Sequence, residues 1–200
     1  PEEEAIVLRF GKIIEMNGKR TIGPGPHWIW PYPIDEIVKI PVARMNNLEI
    51  NSFWYYLTER ERIPGAKPDE KSVNDPLDPL MDGYCLTRSE AQDGNDISNE
   101  GNDYNIVHTK WQLTYQIRNP ELFFTNVQDP NVKPSDIYDD VIKRSAEPLL
   151  QSMFEDIVVT TLVNYTIDEA ITSKDKIRGE VEESLQEKLD SVESGIGIVS

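Results

Sequence analysis

The stretch from Tyr104 to Glu121, YNIVHTKWQLTYQIRNPE, restricts the fold more than any other part of the chain. Val107, Thr109, Trp111, Leu113, Tyr115 and Ile117 share one parity, and His108, Lys110, Gln112, Thr114, Gln116 and Arg118 share the other. A period of two puts one set on a core and the other in water, so the spacing predicts a long strand covered on one side. Asn119-Pro120-Glu121 follows, with a capping side chain, a proline suited to the first helical position and a carboxylate for the first turn. The strand is expected to lead directly into a helix, with Leu122, Phe123 and Phe124 folding back on its apolar face. Its wet face, with His108, Lys110, Thr114, Gln116 and Arg118, is expected to meet solvent or a neighbouring subunit.

Before this stretch the chain reads as strands and loops. Ala5 to Lys12 alternates as a strand, with Ile6, Leu8 and Phe10 on one face, and Gly11 marks its end. Ile13 to Ile22 contains Asn17-Gly18, a strong hairpin dipeptide. Gly23 to Pro33, GPGPHWIWPYP, has four prolines and two glycines, which exclude a regular element, yet it carries three aromatic residues. Ile34 to Ile50 and Phe53 to Leu57 return to β character, and Tyr84 to Arg88 is a short strand expected to form a hairpin with Asn105–Arg118. Residues 58–82 and 89–103 are polar, charged or proline-rich, and are expected to be long surface loops.

After Glu121 the period changes to that of a helix. Apolar residues recur from Asp136 to about Leu162, with Pro148 inside, where a kink or a break is expected. Thr166-Ile167-Asp168-Glu169 is a capping box opening a short helix. A longer helix then runs to about Val192, its apolar stripe formed by Ile177, Val181, Leu185 and Leu189, a surface on which a second subunit could pack. Gly195 to Val199 reads as the start of a last strand. Strands first and helices afterwards define an α+β fold, with residues 1–118 as its β-rich part and 119–200 as its helical part.

The chemistry of an enzyme is hard to place here. His27 and His108 are the only histidines, far apart in sequence and without metal-spaced companions, and Cys85 is the only cysteine. Gly23-Pro24-Gly25-Pro26 cannot cradle a phosphate, because prolines remove the N–H donors that such a loop needs. No catalytic, metal or cofactor site is expected. The net charge is −16, distributed as −1 over residues 1–50, −7 over 51–103, −3 over 104–164 and −5 over 165–200. A field of this sign argues against nucleic acid as a partner. Trp28, Ile29, Trp30 and Tyr32 leave two readings open: a loop folded back on the core or, since they lie in the least acidic quarter and side chains of this kind favour the headgroup layer of a bilayer, the candidate membrane contact. The chain has no apolar run of roughly eighteen residues that could span that bilayer. It opens on Pro1 rather than Met, and reads as a piece of a longer protein.

Several of these segments resemble one family. Glu4 to Lys12, Gly23 to Trp28 and Pro31 to Glu36 resemble the start of the band 7 (SPFH) domain found in stomatins, prohibitins, flotillins and the bacterial HflK/HflC proteins. Leu86-Thr87-Arg88, Asn105-Ile106-Val107 and Leu113 to Pro120 resemble that family's central signature, Thr166 to Ile171 its later helix start, and Gly195 to Ile198 its final strand. Glu4 to Lys12 and the region of Trp28 and Pro33 look closest to the HflK/HflC branch, whereas the loops at 58–82 and 89–103 are longer than its pattern. The resemblance implies a non-enzymatic scaffold, anchored by a single membrane span upstream and continuing into a coiled-coil stalk downstream. It would form homo- or hetero-oligomers with band 7 paralogues, touch membrane lipid, and regulate the membrane AAA+ protease FtsH from the periplasmic side of a bacterial inner membrane. The alternative within the family is a stomatin- or flotillin-like organiser of membrane microdomains or channels.

Overall fold

The computed structural model describes residues 3–16, 18–56, 76–89, 104–129 and 138–199. It is an α+β protein with its sheets built largely from the first part of the chain and its helices from the second. The chain forms two compact units that interleave in sequence: Pro1–Leu48, Leu113–Phe154 and Val181–Ser200 make the first, and Glu49–Gln112 and Glu155–Glu180 make the second.

In the first unit the hub is β1 (Glu3–Arg9), whose Ile6, Val7 and Leu8 are all buried. Two short strands, β2 (Lys12–Ile13) and β3 (Thr21–Ile22), pair antiparallel with it, and β4 (Asp35–Pro41) pairs along its whole length, from Glu3 opposite Pro41 to Arg9 opposite Asp35. Met16 and Lys19 close the expected turn around Gly18, which sits at φ 76°. Phe10, expected on the apolar face, is instead 76% exposed, because the chain turns there with φ 51°.

A second sheet has the order β5 (Asn46–Ile50), β8 (Trp111–Ile117), β9 (Ile196–Ile198). The alternation read from the sequence holds in β8, where Leu113, Tyr115 and Ile117 are buried. The expected single long strand is corrected, however. It breaks at residues 108–110, leaving β7 (Tyr104–Val107) in a different sheet. The reason lies in the backbone bonding: Thr109 N donates to Phe53 O at 2.9 Å, so residue 109 is tied to a loop instead of a ladder.

Asn119 caps α1 (Pro120–Asn126) as predicted, its Oδ1 accepting from the backbone N–H of Glu121 and Leu122, both at 3.1 Å. Phe123 is buried, while Leu122 and Phe124 are only half-buried. Gly195, at φ 70°, offers its carbonyl to the N–H of Arg118 and Asn119, and a Cβ there would strike Asn119 O. This contact demands glycine and delivers the chain into β9, where Tyr115 lies opposite Ile198.

The long helix α2 (Tyr138–Leu162) continues through Pro148, with Ala146 and Leu150 buried on either side of it. Its expected start at Asp136 lies outside the described residues. In the second unit β6 (Cys85–Arg88) and β7 form the expected hairpin, Cys85 opposite Val107 and Arg88 opposite Tyr104. The capping box is present: Thr166 Oγ1 accepts from Glu169 N at 3.2 Å and Glu169 Oε2 from Thr166 N at 2.9 Å, opening α3 (Ile167–Thr172). The strand expected at Phe53–Leu57 is not one over its described part. Phe53 O and Trp54 O accept from Thr109 N and Gly83 N, single loop contacts in place of a ladder, and Leu57 lies outside the described residues. The greater part of the two polar loops, at 58–82 and 89–103, also lies outside them.

Candidate functional site

The loop from Gly23 to Pro33 stands out from the sheet of the first unit. Trp28 is 97% exposed, Tyr32 80% and Trp30 61%, while Ile29 between them is half-buried. Large aromatic side chains left this open are unusual on a surface, and grouped in one loop they form an apolar tip. Exposed Phe10 belongs to the same end of the sheet, because its N–H donates to Ile34 O at 3.0 Å just after the tip.

The tip is braced from below by a residue that the sequence reading did not single out. Arg9 Nε donates to Asp35 Oδ1 at 2.7 Å and Arg9 Nη2 to Asp35 Oδ2 at 2.9 Å, a two-pronged pair across the β1–β4 register. Asp35 Oδ2 also accepts from the backbone N–H of Trp30 at 3.0 Å. The carboxylate is buried, and its bonds to Arg9 and Trp30 hold its pKa below the usual range despite that burial. No sequence signal marked this pair, because Asp35 shares the parity of the exposed Ile37 and Lys39 in β4 and its partner lies 26 positions away. His27 is tied locally, its Nε2 donating to Gly23 O at 2.8 Å.

The other sequence-marked residues have structural employment. His108 Nδ1 donates to Gly83 O at 2.7 Å, and its ring stacks on Tyr55 at 3.9 Å between centroids. Lys110 Nζ lies 4.5 Å from the centre of the Trp54 ring. Thr114 donates to Asn47 Oδ1 and Arg118 to Ile198 O, so part of the face expected to be wet is used within the chain. Cys85 is buried, and burial pushes its thiol up to about 11, far from a reactive thiolate. Among the described residues no cluster of His, Cys, Asp and Glu could hold a metal ion. No helix among them is long and apolar enough to cross a membrane.

The stripe expected at a subunit contact is placed differently. On α4 (Lys174–Ser191), Ile177 is 3% exposed and Val181, Leu185 and Leu189 are fully covered by the chain itself. A helix face that packs within its own fold cannot serve a neighbour without unfolding, so these four residues are core.

Strands that lead through a capped Asn-Pro turn into helices, with a last strand returning to β8, define an α+β domain. The chain belongs to the SPFH domain / Band 7 family, whose model matches residues 1–200. It is also similar to the protein HflK of Borreliella burgdorferi (strain ATCC 35210 / DSM 4680 / CIP 102532 / B31), with 25% identity over 203 residues. That alignment covers 100% of this chain and 48% of the relative, so the chain spans about half the length of the curated protein it matches.

Proposed function

We propose that this chain is the membrane-facing domain of a non-enzymatic band 7 scaffold. In the manner of HflK and HflC it would assemble with copies or paralogues of itself at a bacterial inner membrane and modulate the AAA+ protease FtsH. The family match over the whole chain and the similarity to HflK support the scaffold class. The observation that carries the membrane-facing part is the braced tip, with Trp28, Trp30 and Tyr32 open to solvent on the least acidic quarter of the sequence. Such rings bury their bodies among acyl chains and headgroups while their polar edges stay wet.

Replacing Trp28 and Trp30 together by Ser is expected to abolish co-sedimentation of the chain with phosphatidylcholine vesicles and to leave its melting temperature unchanged. A fall in melting temperature like that of a core truncation would instead assign the two rings to packing. For the assembly, the full-length protein in mild detergent is expected to run as a large oligomer; a monomer there would overturn the scaffold reading. Altered turnover of FtsH substrates on deletion supports the HflK-like branch, and unaltered turnover removes it in favour of a stomatin-like organiser.

A further inference from the structure

Beside the tip, the first sheet carries a cleft of about 640 Å³, bordered by Glu3, Ala5, Ile22, Ile29, Ile37 and Lys39. Its apolar side comes from Ala5, Ile22, Ile29 and Ile37, and its charges are of both signs. The register explains their placement. Ala5 lies opposite Lys39 and Glu3 opposite Pro41, so Glu3 and Lys39 are diagonal neighbours on one face of the β1–β4 pair. Diagonal neighbours stand about 7–8 Å apart. Both side chains are exposed, and neither makes an ion pair among the described residues. A carboxylate and an ammonium left unpaired beside a greasy cleft complement a ligand that carries an ammonium and a phosphate of its own. Ile29 joins the cleft to the tip, since it borders the one and lies between the exposed rings of the other.

We propose that this cleft holds the headgroup of a phospholipid with a primary ammonium, phosphoethanolamine, its phosphate on Lys39 and its ammonium on Glu3. The site rests on the tip reading above, because the tip brings the cleft to the headgroup layer. The carboxylate selects within phospholipids: a primary ammonium donates charge-assisted N–H bonds to it, whereas a trimethylammonium has no N–H to donate.

The test is co-sedimentation of the chain with vesicles of phosphatidylcholine alone, of phosphatidylcholine with phosphatidylethanolamine, and of phosphatidylcholine with phosphatidylglycerol. Phosphatidylethanolamine is expected to tighten association about fivefold over phosphatidylcholine alone, and phosphatidylglycerol not at all. Lys39→Glu and Glu3→Lys are each expected to erase that gain, so that either variant binds vesicles with and without phosphatidylethanolamine equally. Equal binding to all three vesicles overturns the headgroup site and leaves the tip standing. A phosphatidylethanolamine gain that persists in both variants also overturns it, because looser lipid packing then explains the gain. Failure of the unaltered chain to bind any vesicle overturns the tip and the site together.

Discussion

Asp35 concentrates several roles in one carboxylate: it neutralises Arg9, joins β1 to β4 and holds the Trp30 backbone. Asp35→Asn keeps the shape and loses the charge, so it is expected to lower the melting temperature and weaken vesicle association, although no residue of the tip is altered. Because its folded pKa lies below the ordinary Asp value, the stability it contributes is complete above about pH 4 and is lost as pH falls through the lower folded value. Vesicle association measured from pH 7 to pH 5 is therefore expected to stay flat. A decline across that interval would place the pH dependence on a group other than Asp35, and unchanged vesicle association in Asp35→Asn would remove Asp35 from control of the tip. Tyr115 presents the opposite case, since it is fully buried and its hydroxyl has no partner among the described residues. Burial, with a smaller contribution from Glu147, drives its pKa up, away from ionisation. Tyr115→Phe removes an unsatisfied buried group and is expected to stabilise the chain by roughly 1 kcal/mol in a denaturant titration, with destabilisation as the contrary outcome.

Among the elements, those with a strong local signal were legible in the sequence. The Asn119 cap, the Thr166 capping box and the alternation in β8 all match, because each depends on residues a few positions apart. What the pattern could not convey was partnership. The parity of Val107 and Thr109 continues smoothly into β8, yet residue 109 bonds to Phe53, more than fifty positions away, and the strand divides. The α4 stripe shows the same limit: an apolar face of helical period predicts burial without saying whether the cover is the same chain or another. Here the cover is the same chain. Leu185→Ala is accordingly expected to destabilise folding by about 2–5 kcal/mol, the cost of a cavity in a filled core. Loss of assembly at unchanged stability would restore the stripe to a subunit interface.

On the scale of the whole molecule, the net charge of −16 argues that attraction to anionic lipid does not drive any membrane association. Association through the tip should then depend on apolar burial, and raising salt from about 0.05 to 0.5 M, which shortens the screening length several-fold, should leave binding to phosphatidylcholine unchanged or slightly stronger. Marked weakening with salt would point to an electrostatic contact elsewhere. The loop was legible as a candidate from composition alone, since four prolines and three aromatic rings share it, although composition left open whether its rings fold back on the core. Its brace and the charged cleft beside it were not, because both arise from the β1–β4 register, which joins residues about thirty positions apart.

The position of β9 has a consequence for how the protein is made. Arg118, at the end of β8, donates to Ile198 across a sequence separation of 80 residues. On a ribosome adding 5–20 residues per second, that edge of β8 waits roughly 4–16 s for its partner. During this interval a strand with a fully apolar face has an unpaired side, a template for pairing with a neighbouring nascent chain. Adjacent ribosomes on one message would bring such edges together, so the last few residues of this segment decide whether β8 closes on its own chain or is captured by another.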